Sequence, residues 1–394
     1  SWTLAQVDFT DGPYLATNST TTTLTPAQAA TGSNINITAS AVTGINGGAG
    51  FQTTDVGRII SFNSGKAKIT TRTSTTVVEC TITTAFTNTN ATAAFNLGAF
   101  SDTTGHPSCV SFFEQRLVFA GTTDEPQTLF FSKAGDYENM TTGTNADDAM
   151  VYTIASNQVN AIRYMKAVRT LVVGTTGGEF TVSADGTDAS ITPTNITIKR
   201  QSSFGSANVD AIPAGNAILF LQKAKRKIRE LQYNFDSDGY QAPDLTILNE
   251  TVTDTGINEM SYQQEPGSNI WCVRDDGVLA CLTYQRSENV IAWSRHIFGG
   301  VFGSGKAVCE SVASISGVLT EDEVWVIVKR TINGATKRFV ECFSDFDFDE
   351  TSATSFKFLD SHLSYSGSGT TTLSGLAHLE GQTVSVLGDG ATHA

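Results

Sequence analysis

No stretch of eighteen or more apolar residues occurs, so no segment of this 394-residue chain reads as a membrane-crossing helix. No basic stretch followed by an apolar run opens the sequence, and no signal peptide is read in it. Charge is scarce at 16% of residues, and positive charge scarcer, with Lys+Arg 25 against Asp+Glu 39 and a net charge of −14. Ample apolar content (40%) excludes a disordered polyelectrolyte. The deficit of cations excludes the basic footprint of a protein that grips nucleic acid through its phosphates. The six cysteines (80, 109, 272, 281, 309, 342) form no CxxC and no Cys/His cluster, so a zinc site and a disulfide scaffold are poor readings. HExxH, GxSxG, P-loop and post-strand GxGxxG motifs are all missing, and no cofactor is expected.

The acid that is present is regional. Residues 1–104 and 105–236 are each close to neutral, whereas residues 237–394 carry Lys+Arg 9 and Asp+Glu 21. About a quarter of residues 1–104 are Thr, a composition that suits strands and turns. Short alternating stretches recur there at Ile35–Thr38, Ile59–Phe62, Lys66–Thr70 and Thr76–Ile82, and predict a small β-sandwich or barrel.

From residue 105 a repeat emerges. Five apolar strands, Arg116–Gly121, Thr170–Thr175, Ala217–Gln222, Asn269–Arg274 and Glu323–Val328, have centres at Val118, Val172, Leu219, Trp271 and Trp325. Those centres are 54, 47, 52 and 54 residues apart, a period of about 50. Each is preceded by a short strand and followed by a turn, with Asp276-Gly277 and Asn333-Gly334 as two-residue hairpin signals. A meander repeated at this period is the signature of propeller blades. The expectation is an all-β chain: a platform-like sandwich or barrel over 1–104, a β-propeller of about five or six blades over 105–350, and a partial distal β-segment over 351–394. Trp271 and Trp325, in mid-strand, are read as core. With Asp276-Gly277 as a two-residue turn, Cys272 and Cys281 face each other at a non-hydrogen-bonded pair, as neighbouring buried thiols or as a bonded pair. The start at Ser1 and the stop after the alternating Thr383–Leu387 suggest part of a longer product.

The five histidines lie far apart. Glu114, Glu179, Asp185, Glu265 and Asp275 are the carboxylates near strands and turns to weigh for acid catalysis, each with a plain local use; Glu114 and Arg116 are two apart and placed to pair. Asp345, Asp347 and Asp349 open like a calcium loop, but Glu350 replaces the glycine required at its sixth position. No metal site follows. The basic run containing Lys225, Arg226, Lys227 and Arg229 reads as a solvated hairpin tip or as a contact with acids of a neighbouring copy. Around Asn333-Gly334, Lys329, Arg330, Lys337 and Arg338 repel unless acids lie nearby, and the Asp345–Glu350 segment of an adjacent subunit is a candidate source, at the lumen or an intersubunit seam.

Several blocks carry a resemblance: Ser101–Thr122, Gln127–Met140, Gly174–Ser183, Gln201–Val209, Tyr240–Glu250 and Tyr262–Tyr284, with a weaker opening around Val7–Tyr14. They resemble the tail nozzle proteins of short-tailed bacteriophages, also called tail tubular protein B. The resemblance implies a non-enzymatic structural protein of the virion tail. It implies a homohexameric ring below the portal and adaptor, with tail fibres or spikes as further partners. Viral double-stranded DNA would pass through its channel without specific binding, and the ring would gate and conduct genome ejection. No catalytic residue comes with it. The alternatives are a virion-associated glycan-cleaving propeller, which requires two converging carboxylates, and a carbohydrate- or receptor-binding propeller, which requires exposed aromatics in a shallow pocket.

Overall fold

The computed structural model describes residues 9–155, 159–186, 189–317, 321–344, 362–388 and 391–393. The protein is all-β, 48% strand and 4% helix. It divides into two compact units, Ser1–Asn208 and Val209–Ala394.

The first unit begins with one six-stranded sheet, curled into a half-barrel. Its strands are β1 (Leu24–Pro26), β2 (Gly32–Ala39), β3 (Ile59–Phe62), β4 (Gly65–Arg72), β5 (Val77–Thr84) and β6 (Phe95–Leu97), in the order β1-β2-β5-β4-β3-β6. Period-two alternation decides the faces: Ala67 and Ile69 turn inward between outward Lys66 and Lys68, and Val78, Cys80 and Ile82 do the same on β5. With Leu24, Ile37, Phe51, Ile60 and Phe95 they form one apolar core. A buried ion pair is set into its margin. Arg58 Nη1 lies 3.0 Å from Asp55 Oδ1, with the two side chains 1% and 0% exposed, and Arg58 Nε donates to the Gly98 carbonyl at 2.5 Å.

Two four-stranded antiparallel meanders complete the first unit. One comprises β7 (Cys109–Phe113), β8 (Arg116–Ala120), β9 (Thr128–Phe131) and β10 (Met150–Thr153); the other β11 (Ile162–Ala167), β12 (Leu171–Thr175), β13 (Gly178–Ala184) and β14 (Ile196–Ser202). Val118, Leu129 and Phe131 of the former share a core with Leu171, Val173 and Val182 of the latter. The second unit continues the pattern. β15 (Ile212–Ala214), β16 (Ala217–Leu221), β17 (Ile228–Asn234) and β18 (Gly239–Gln241) form a third meander, and β19 (Ile257–Gln263), β20 (Asn269–Arg274), β21 (Leu279–Gln285) and β22 (Val290–His296) a fourth. The β23–β24 pair (Val301–Phe302, Gly305–Lys306) precedes a three-stranded sheet of β25 (Val308–Ser316), β26 (Asp322–Ile332) and β27 (Ala335–Cys342), and β28 (Val386–Gly388) pairs with β29 (Ala391–His393). These successive meanders are the blade pattern expected from the period. The five strands spaced at about 50 residues are β8, β12, β16, β20 and β26, the second strand of each sheet. Among the described residues, helix is confined to three-residue 3-10 turns.

Two expectations are corrected by one-residue effects. The hairpin between β20 and β21 uses a three-residue loop, Asp275-Asp276-Gly277, with Gly277 at φ +77 closing it. The register therefore pairs Trp271 with Cys281 and Cys272 with Ala280. A one-residue slip flips a side chain to the other face, so Cys272 and Cys281 lie on opposite faces as free, buried thiols. Burial pushes the Cys281 thiol up to about 12 and that of Cys272 well above the usual range. Gly277 serves a second constraint, since a Cβ there would sit 2.6 Å from Val308 Cγ1. On β26 the inward residues are Val324, Val326 and Val328, which leaves Trp325 half-buried on the opposite face with its indole donating to Glu323 Oε2 at 2.9 Å. Trp271 is core as expected, 7% exposed. The Asn333-Gly334 turn has both residues at positive φ and pairs Ile332 with Ala335, the two-residue geometry its sequence signals.

Removing Asp55 leaves Arg58 buried without its counter-charge. Asp55→Ala is expected to destabilise the first unit by about 3 kcal/mol or more, measured as a lower denaturant midpoint, while Thr54→Ala changes it little.

Candidate functional site

Each of the four four-stranded meanders and the three-stranded β25–β27 sheet buries one long charged side chain: Arg116, Glu179, Glu230, Arg274 and Arg330, none more than 5% exposed. A buried charge is tolerated only when its hydrogen-bonding capacity is met nearby. Arg116 donates to the carbonyls of Ser132 (2.7 Å), Asp148 (2.8 Å) and Ala146 (2.6 Å), tying β8 to the segment before β10. It does not pair with Glu114. That residue sits with Gln115 in a positive-φ turn, and its Oε2 accepts from the Ile191 amide at 2.7 Å. Glu179 accepts from the hydroxyls of Ser202 and Ser206. Arg274 grips Asp276 with two bonds, at 3.0 and 2.8 Å, and donates to the Val252 carbonyl at 2.6 Å.

The basic run lies at the β16–β17 turn, with Lys225 itself at φ +62. Its cations turn onto the turn itself, the segment after β18 and the start of β19. Lys225 Nζ donates to Asn258 Oδ1 (2.7 Å), Arg226 Nε to the Asp254 carbonyl (2.6 Å), and Arg229 to Gln222 Oε1 (2.8 Å) and the Ala242 carbonyl (2.7 Å). Lys227 Nζ lies 2.8 Å from Asp244 Oδ2 and 3.4 Å from Glu250 Oε1. Burial pulls Asp244 upward, but Lys227 and the Thr246 donors outweigh it and hold the carboxyl below its ordinary value.

The second basic group finds its acids in the same sheet. Lys329 on β26 stands directly opposite Arg338 on β27, and Glu310 reaches both, 2.8 Å from Lys329 Nζ and 2.5 Å from Arg338 Nε. Glu310 falls at the register shift between Cys309 and Ser311, a bulge that re-aims its side chain. Arg330, opposite Lys337, forms a two-bond pair with Glu341 and donates to the Gly299 carbonyl at 2.7 Å. Asp345, Asp347, Asp349 and Glu350 fall outside the described residues.

Sequence reasoning missed the cavity at the edge of the third meander. The β17–β18 hairpin pairs Gln232 with Gln241 and Asn234 with Gly239, so three amide side chains share one face around a position without a side chain. Its four-residue loop is held by Asn234 Oδ1, which accepts from the Ser237 amide at 3.1 Å, and it presents Phe235 at 86% exposure. Gln232, Asn234, Phe235, Asp236, Gln241 and Arg286 are among the residues lining a cavity of about 340 Å³. Arg286 comes from the turn after β21, and buried Glu230 fixes it: Oε1 accepts from Arg286 Nε at 3.0 Å and Tyr284 Oη at 2.8 Å, and Arg286 Nη2 lies 2.8 Å from Oε2. The signal available in the sequence was an exposed aromatic in the polar turn Asn234-Phe235-Asp236. Among the described residues, no group of three or more His, Cys, Asp or Glu side chains is arranged to hold a metal ion, and no helix is long and apolar enough to cross a membrane.

Glu310 is held at about 2, from an ordinary 4.5, by Arg338 and Lys329. A depressed carboxyl adds stability that is full above its unfolded value and is lost as pH falls through its folded one. Glu310→Gln is therefore expected to lower the unfolding midpoint at pH 6, with the difference from the native chain closing between pH 4.5 and 2 in a pH series of thermal melts.

No family model matches the chain, and no curated protein matches it. Among solved structures, it is similar to Hsv2p of Kluyveromyces lactis at 10% identity, covering 76% of this chain and 74% of that one with a TM-score of 0.38. It is similar to the β-propeller domain of Cps50 (Swd1) of Myceliophteria thermophila at 12% identity, covering 68% and 95%, TM-score 0.30. The endosialidase of phage phi92 is similar at 10% identity over 97% of this chain and 56% of that one, TM-score 0.24. These likenesses are too distant to carry a functional assignment.

Proposed function

We propose that the chain is a structural, non-enzymatic subunit of the tail nozzle of a short-tailed phage, assembled as a ring that conducts and gates the genome. The observation that carries this reading is the set of residue blocks resembling that family, which span both units. Ser101–Thr122 contains β7 and β8, and Tyr262–Tyr284 runs from β19 through β21. The weaker opening block includes Asp11. That carboxylate accepts from Tyr14 Oη at 2.6 Å and from the Thr141 hydroxyl, and lies 2.5 Å from Lys66 Nζ, joining the first sheet to the first meander.

Electrostatics supports the same reading. A conduit must let a polyanion slide, and every phosphate contact by a free Lys or Arg adds a binding term that resists sliding. Eight of the candidate residues are cations, and seven of them, all but Lys337, have acceptors within their own chain. The lumen or seam role proposed for the Asp345–Glu350 segment follows from its sequence alone.

A second reading, a carbohydrate- or receptor-binding propeller, is favoured by the cavity bearing exposed Phe235. Glycan cleavage has less support there, because the cavity lining holds a single carboxylate, Asp236, where hydrolysis uses two.

Native mass measurement of the full-length protein, together with imaging of the particle, tests the nozzle reading. The expected result is a hexameric ring located in the tail. A strictly monomeric protein absent from the tail would contradict it.

A further inference from the structure

The geometry points to the β17–β18 cavity as a binding site for a neutral saccharide. Its volume of about 340 Å³ falls in the range of small-molecule sites. Primary amides present both donors and acceptors, which matches a polyol, each hydroxyl of which donates and accepts. Gln232, Gln241 and Asn234 place three such groups on one face, and Gly239, opposite Asn234, leaves that face open; Ser237 already takes the Asn234 oxygen and one Gln241 N–H at 3.3 Å, so the Asn234 NH2, the Gln241 oxygen and the Gln232 amide are the groups that would meet a ligand. Phe235, almost fully exposed on the loop, offers an aromatic plane to the apolar C–H face of a sugar ring.

Charge decides between a neutral and an acidic ligand. Arg286 is the cavity's cation, and its guanidinium is already engaged by the 1% exposed Glu230. Asp236 adds a negative charge to the lining. The site therefore carries no surplus positive charge to attract a carboxylated or sulfated sugar, while the carboxylate accepts readily from hydroxyls. Glu230 holds Arg286, a residue of the cavity lining, through Nε at 3.0 Å and Nη2 at 2.8 Å.

This inference specifies the ligand of the binding reading above and does not depend on ring assembly. The experiment is an array of neutral hexose and N-acetylhexosamine oligosaccharides alongside sialylated and sulfated ones, with affinities of retained members measured by saturation-transfer NMR. Neutral members are expected to be retained, and Phe235→Ala and Gln241→Ala each to weaken them about tenfold, a change of about 1.4 kcal/mol. Both residues are exposed, so circular dichroism and thermal midpoint should stay those of the native chain. Retention of acidic members only, of no member, or of neutral members with affinity untouched by both variants would each overturn the proposal. A protein receptor held through Phe235 with no saccharide bound would overturn the saccharide and keep the binding reading. A nozzle ring that binds no sugar would overturn this inference alone.

Discussion

A charge inside a β-sheet has to be matched by its own chain, and the repeat units of this protein are organised around that requirement. Hydrophobic faces bring neighbouring meanders together and decide which face of each strand turns inward. The buried charges add a demand for particular partners. Arg116 finds its carbonyls only if the segment before β10 returns across β8, and Arg274 meets both the Val252 carbonyl and Asp276 only with a three-residue loop. Glu230 joins β17 to the turn after β21 through Tyr284 and Arg286. Breaking one partner of such a set leaves an uncompensated charge, a far larger loss than that of an exposed ion pair.

Repetition was the most legible feature in the sequence. β8, β12, β16, β20 and β26 are the second strands of their sheets, and their apolar runs stand out against polar turns every 50 residues or so. The alternation of β4 and β5 was legible for the same reason, since a half-buried strand writes its faces into period two. Local register was not. The loop Asp275-Asp276-Gly277 contains a two-residue hairpin signal, yet Arg274 and Asp276 bond each other and the loop closes one residue longer, which puts Cys272 and Cys281 on opposite faces. Trp325 was misplaced because its strand is half-buried and the inward face belongs to the valines.

The candidate site was less legible than the fold. Lys225, Arg226, Lys227 and Arg229 stand out as a charge run, but their partners, Ala242, Asp244, Glu250, Asp254 and Asn258, are spread from the end of β18 to the second residue of β19, along a path only the fold defines. Lys329 and Arg338 were recognisable as a like-charged cross-strand pair, but Glu310, which reaches both from the adjacent strand through a bulge, was not singled out as their acid. The cavity was the least legible of all, because amides and glycine carry no periodic signal until a hairpin sets Gln232 opposite Gln241.

What unites fold and proposed function is the use of positive charge. With few cations to begin with, the chain turns most of those at β16–β17 and β26–β27 onto its own acids, amides and carbonyls, which lowers the number that face outward to a polyanion. The direct measurement is binding of duplex DNA by the assembled full-length protein as a function of salt. The account predicts no measurable retention at 50 mM salt and hence no salt-dependent slope. Tight binding whose logarithm falls with log salt at a slope of about −5 or steeper, the mark of roughly six phosphate contacts, would contradict it.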